Sequence, residues 1–164
     1  MILSTSISFF VASQPSHKSY FLICIGIFSV YFVIGGYRAL SYKDLNTRLT
    51  FDYSVSILML LAGLVMVFHY FIFDKLNIVM LIFGVVGLSF SIRDIFVYRN
   101  RMKLAKTWLP THLGKITGGY ISAVTAFVVV NQFIPGIFGW VAPGIVGTFF
   151  IVYWTKKVGS RVRL

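Results

Sequence analysis

Charge vanishes from this chain for long stretches and returns in clusters. Uncharged, strongly apolar runs cover residues 19–37, 53–73, 76–92, 116–133 and 137–154. Each approaches the roughly 20 residues that an α-helix needs to cross a hydrocarbon core about 30 Å thick. The pattern predicts an all-α protein, a polytopic transmembrane bundle of about five spanning helices. The bundle occupies residues 19–157, with a short apolar segment at 1–18 before it and a basic tail at 158–164 after it.

The connections differ in kind. Asp74-Lys75 and Pro135-Gly136 are tight, and a short connection forces its helices to lie antiparallel and adjacent. Runs two and three therefore form one outer hairpin, runs four and five another, and the first helix stands beside them. The other connections are longer and polar. Asn46 and Thr50 through Asp52 are candidate caps for the second helix. Trp108 reads as an interfacial tryptophan, with Pro110 and Thr111 opening the fourth helix.

Basic residues separate sharply between the two sides. Arg38, Lys43, Arg48, Arg93, Arg99, Arg101, Lys103, Lys106, Lys115, Lys156, Lys157, Arg161 and Arg163 fall on one side, and only Lys18 and Lys75 on the other. Thirteen against two over short loops assigns the basic side to the cytoplasm and the C-terminus with it. This is the charge pattern of a multi-pass protein of a cytoplasmic membrane.

Composition sharpens this picture. The 164 residues are 58% hydrophobic and 12% charged, where a soluble domain averages about 25% charged. The net charge of +11 does not signal nucleic acid. The basic residues flank apolar runs, so their natural partners are anionic lipid headgroups, each worth about 1 kcal/mol near the surface. The single cysteine, Cys24, lies within the first run and excludes an internal disulfide and any CxxC motif. Residues 1–12 are apolar but too short to span, and lack the basic start of a signal peptide. They fit a disordered tail, an interfacial segment or the remnant of an earlier helix.

The fourth run is the least lipid-like. Gly114, Gly118, Ser122 and Ala126 recur every four residues and mark one face. Small residues let membrane helices approach closely where no hydrophobic effect draws them together, so this face predicts a central packing helix. Pro143-Gly144 sits midway along the fifth run and predicts a kink there, with the carbonyl near Gly139 freed. A faint repeat relates Gly84-Val-Val-Gly87 to Gly144-Ile-Val-Gly147. It suits a duplicated hairpin, though a chain rich in Gly and Val produces such matches by chance.

Candidate chemistry is sparse. His69 and His112 lie at opposite ends of their helices and differ in depth by about 20–25 Å, too far to share one haem. His17 and His69 share a side but lack carboxylates to orient them, so no metal and no cofactor is expected. The richer place is the cytoplasmic boundary, where Arg38, Arg93, Asp94, His112 and Lys115 reach one depth. A carboxylate there is costly unpaired, so Asp94 predicts a basic partner in Lys115, His112 or Arg38. Such a cluster suits an ion-paired belt, a phosphate headgroup site or a proton relay. No paired-carboxylate site, Ser/His/Asp order, P-loop or HExxH is present.

One resemblance emerges from a set of motifs. They are Gly35-Gly-Tyr-Arg38-Ala-Leu40; Phe83-Gly-Val-Val-Gly-Leu-Ser-Phe90 before Arg93-Asp94; and His112 with Gly118-Gly-Tyr-Ile-Ser-Ala-Val-Thr-Ala-Phe127 through Asn131. Trp140-Val-Ala-Pro143-Gly-Ile-Val-Gly147 and Tyr153-Trp154-Thr-Lys-Lys157 complete it. From about Ser16 onward the chain resembles a family of bacterial predicted membrane proteins of unknown function. The resemblance implies a multi-helix inner-membrane protein with no established reaction. It also implies a further N-terminal helix, often bearing a His-Arg pair, of which residues 1–12 would be the tail in a truncated frame, with potential haem ligands missing.

The expected function is therefore non-enzymatic: binding of lipid or a small apolar ligand, or service as a partner subunit or homo-oligomer in the cytoplasmic membrane. The alternative is a redox (haem-type) or transport component working at His112, Asp94 and Lys115. The charge partition makes a direct prediction. In a Cys24→Ala background, an impermeant thiol reagent should label Lys75→Cys in intact cells and leave Lys103→Cys untouched; the reverse would invert the orientation.

Overall fold

The computed structural model describes residues 20–73, 78–133 and 136–161. The apolar start at 1–18, His17, the Asp74-Lys75 connection, Pro135 and the last three residues lie outside the described residues. Six α-helices follow in order: α1 (Tyr20–Ala39), α2 (Thr50–Phe73), α3 (Ile78–Tyr98), α4 (Arg101–Lys106), α5 (Trp108–Val130) and α6 (Ile137–Arg161), with a 3-10 turn at Leu40–Lys43. No strand occurs among the described residues. Three helices are long and apolar enough to cross a membrane: α2 over Thr50–His69, α3 over Met80–Tyr98 and α6 over Ile137–Val158. The chain is thus an all-helical bundle with the composition of a membrane protein.

Two boundaries differ from the sequence expectation. The long polar connection after α3 contains α4, a helix of six residues. Its start is set by Asn100, whose side-chain oxygen accepts from the Lys103 backbone N–H at 2.9 Å. The next helix opens at Trp108, so Pro110 stands in its first turn, where a missing N–H costs nothing. Asp52 does not cap α2. It faces inward from the first turn and serves as an ion-pair acceptor, described below.

Close backbone approach determines which helices meet. The most extensive packing joins α1 to α5, α2 to α3, and α5 to α6. At the α2–α3 crossing Gly63 faces Gly84, and a Cβ on either would lie 3.1 Å from the other's carbonyl oxygen. Gly87 leaves room for the Met59 side chain. At the α1–α5 crossing Gly36 accepts Ile116, while Gly118 and Gly119 lie beneath Phe32 and Val33. Gly147 of α6 accepts Ile121. Each contact needs a residue without bulk, because packing rather than water exclusion holds helices together in lipid.

The fourth-run stripe is therefore split between neighbours. Gly118 and Ser122 meet α1, whereas Gly114 turns to α6, where a Cβ on it would lie 3.8 Å from Ile151. Ala126 is half-buried. The GxxG repeat is unequal as well: Gly84 and Gly87 are both packed, but nothing lies within 4 Å of a Cβ on Gly144. Helix α6 runs without interruption through Pro143.

Aromatic edges fill the middle of the bundle. Phe28 and Phe32 of α1 meet edge to face at 4.7 Å, and their rings contact Phe83 at 5.5 Å and Phe90 at 5.1 Å respectively. Because a Cβ on Gly118 would lie 3.0 Å from the Phe32 ring, Gly118→Leu should separate α1 from α5, costing about 1–3 kcal/mol by overpacking. The yield of monodisperse protein in mild detergent should fall for this variant and hold for Val129→Leu. Equal yields would show that the α1–α5 crossing tolerates bulk.

Candidate functional site

Four helices bring charge together at one end of the bundle: the end of α1, the start of α2, the end of α3 and the start of α5. Two buried carboxylates organise it. Asp94 of α3 pairs with Lys115 of α5, with side chains 11% and 6% exposed. Tyr31 of α1 donates to the same carboxylate oxygen at 2.6 Å, and Tyr98, one turn along α3, approaches it at 3.5 Å. The Lys115 ammonium also lies 4.7 Å from the Tyr31 ring centre. It occupies the space left by Gly35, where a Cβ would come within 2.6 Å of Nζ.

Asp52 makes the second centre. Its side chain is 1% exposed and takes a bidentate pair from Arg38, with Nε at 3.1 Å and Nη2 at 2.6 Å. The fork geometry suits guanidinium to carboxylate and fixes both groups. Arg38 also donates to the Arg48 carbonyl at 2.8 Å, which fastens the connection entering α2. Tyr42 donates to Asp52 at 2.8 Å and lies 3.3 Å from the Tyr98 hydroxyl. Burial, then the neighbouring Tyr98 and Asp52, push the Tyr42 hydroxyl far above its ordinary pKa, so it stays a donor. Lys115, Asp94, Tyr98, Tyr42, Asp52 and Arg38 thus form one continuous polar chain across α1, α2, α3 and α5.

The five residues expected at this boundary separate into different roles. Asp94 and Lys115 form the pair. Arg38 belongs to Asp52, not to Asp94. His112 bonds through Nδ1 to the Gly36 carbonyl at 2.8 Å; a carbonyl only accepts, so that nitrogen carries the proton. Arg93 is exposed. Among the described residues no group of three or more His, Cys, Asp or Glu is placed to hold a metal.

Asp52, Tyr31, Tyr42, Tyr98 and Gly35 are the members that sequence reasoning missed. A signal existed for some of them. The whole chain has four acidic residues against fifteen Lys and Arg, so every carboxylate near a helix end is a valuable partner. Tyr98 is four residues from Asp94, and Tyr31 seven from Arg38, so each shares a helix face with a charge.

The second feature is apolar. A cleft of about 500 Å³ lies between α1, α3, α5 and α6. Phe28 and Phe32 close its floor, and Ile82, Val86 and Phe90 form the α3 wall. Gly114, Gly118 and Ser122, expected as packing residues, also line it, as does Gly144 on α6 opposite. Its polar groups are already satisfied. Ser29 donates to Ser122 at 2.9 Å, and Ser122 donates to the Gly119 carbonyl at 2.9 Å. Thr125 donates to Ile121 at 2.8 Å and Thr148 to Gly144 at 2.7 Å. With these hydroxyl donors already used within the helices and a lining that is otherwise almost wholly apolar, the cleft favours an apolar occupant.

No protein-family model matches the chain, and no curated protein or solved structure is significantly similar to it.

The pairing predicts a coupling pattern. Asp94→Asn and Lys115→Met should each destabilise the protein, because each leaves a buried charge without its partner. Combined, they should cost less than their sum, with a coupling energy of about 0.5–3 kcal/mol. Arg38→Met should couple in the same way to Asp52→Asn and more weakly to Asp94→Asn, which it reaches only through Asp52, Tyr42 and Tyr98. Thermal unfolding in detergent supplies all three cycles, and additivity in the first two would dissolve the assignment.

Proposed function

We propose that the chain is a multi-pass protein of the bacterial cytoplasmic membrane that carries out no reaction of its own and holds an apolar ligand, lipid or other, in the cleft between α1, α3, α5 and α6. The observation that carries this reading is the cleft itself: about 500 Å³, within the roughly 300–1,000 Å³ range of ligand sites, with the hydroxyl donors of Ser122, Thr125 and Thr148 already bonded. In this reading α1, α2, α3, α5 and α6 all span. The contacts of Gly63 with Gly84 and of Ile121 with Gly147 support two antiparallel outer hairpins. The thirteen basic residues on one side support a cytoplasmic C-terminus, and the motif resemblance supports an inner-membrane family. Anionic headgroups, a second copy of the chain or a partner subunit are compatible neighbours. A second reading, a transport component, draws on the buried Lys115–Asp94 pair, because ionisable groups set into a membrane bundle often mark a translocation path.

The decisive variant is Gly144→Leu. A Cβ there meets nothing within 4 Å, so the larger side chain should fill the cleft while the bundle stays folded. Wild-type protein purified in mild detergent should carry an extractable apolar molecule, and Gly144→Leu should carry at least about tenfold less, a loss of about 1.4 kcal/mol in binding. A wild-type protein with nothing bound would overturn the reading. A reduced-minus-oxidised Soret band would move it to electron transfer.

A further inference from the structure

Two basic residues continue the register of the cleft's α3 and α6 walls. On α3 the wall is Ile82, Val86 and Phe90. Arg93 follows Phe90 by three residues and Val86 by seven, so it continues that helix face at the same end as Asp94. On α6 the wall includes Ile145, Phe149 and Val152. Lys156 follows Val152 by four and Phe149 by seven, and continues that face in turn. Both side chains are exposed. Neither forms an ion pair among the described residues, and the two buried carboxylates are committed to Arg38 and Lys115. The rim therefore has basic groups open to an anion from outside the described residues.

The cleft's shape selects the occupant. From Trp140 to Val152 its α6 wall is about 18 Å long at about 1.5 Å per residue. A wall of that length, lined almost wholly by apolar side chains, suits an extended hydrocarbon chain lying along the helix.

We propose that the cleft and its rim form a site for an anionic phospholipid of the cytoplasmic leaflet. One acyl chain lies between α3 and α6 against Gly118 and Gly144, and its phosphate sits between Arg93 and Lys156. Guanidinium and ammonium are both suited to phosphate, the first through paired hydrogen bonds and the second as a point charge. This inference rests on the apolar-ligand reading above and adds the headgroup, the leaflet and the two residues that choose them.

Native mass spectrometry tests it. The full chain is released from bilayer discs holding phosphatidylglycerol and phosphatidylcholine with identical acyl chains at equal concentration. Wild type should keep one phosphatidylglycerol per chain, favoured about tenfold or more. Arg93→Gln with Lys156→Gln should abolish the preference while lipid of either kind is still retained. The charge-conserving Arg93→Lys with Lys156→Arg should keep it, which separates charge from a general loss of folding. Equal retention of both lipids by wild type, or an intact preference in the double Gln variant, would overturn the headgroup assignment alone. Gly144→Leu should displace both lipids. Retention at the wild-type level in that variant would instead overturn the cleft as the ligand site.

Discussion

Two carboxylates removed from water dictate the architecture at the basic end of this bundle. A buried ionised group is costly unless it is paired and hydrogen-bonded, and the penalty for an unpaired one is several kcal/mol. Asp94 meets this condition with Lys115 and Tyr31, Asp52 with Arg38 and Tyr42. Every one of these partners comes from a different element than its carboxylate. Satisfying the two charges therefore brings together α1, α2, α3, α5 and the Leu40–Lys43 turn, and sets their register along the bundle axis. The glycine at position 35 belongs to the same device, since a side chain there would occupy the space taken by the Lys115 ammonium.

Glycine is used in two opposite ways elsewhere. At Gly63, Gly84, Gly118 and Gly147 the missing side chain is filled at once by a neighbouring helix, which gives close packing and a rigid crossing. At Gly144 it is left empty and becomes part of a cleft. Helix α6 explains the difference. Among the helices it packs extensively on α5 alone, and its spanning window is 6% buried, against 28% for α2 and for α3. It lies along one side of the bundle and leaves space between itself and α3. In water such a helix would be a liability; in hydrocarbon its exposed Phe138, Val146 and Phe149 need no cover.

The polar network and the cleft are neighbours with opposite chemistry. Phe28, Phe32 and Phe90 separate them, packed edge to face. Charge is neutralised on one side of this aromatic layer, and on the other Ser29, Ser122, Thr125 and Thr148 bond to a backbone carbonyl or another serine. That division lets a fully apolar space exist close to four ionised groups.

The all-helical class, the positions of the apolar runs and the need of Asp94 for a basic partner were legible in the sequence, because hydrophobic length and charge spacing are local properties of the chain. The choice of partner was not. Arg38, His112 and Lys115 all reach the same depth, and only the rotation of α1 and α5 about their axes sends Lys115 to Asp94, Arg38 to Asp52 and His112 to the Gly36 carbonyl. Asp52 looked like a cap because its position after Thr50 suits one; the fold turned it inward, where a guanidinium is the better partner. The stripe of Gly114, Gly118 and Ser122 announced close approach, but not that two of its members would face α1 and one α6 while all three border an open cleft. A space between helices has no signature in any one of them: it exists only where four surfaces fail to meet, and that is decided by tertiary packing.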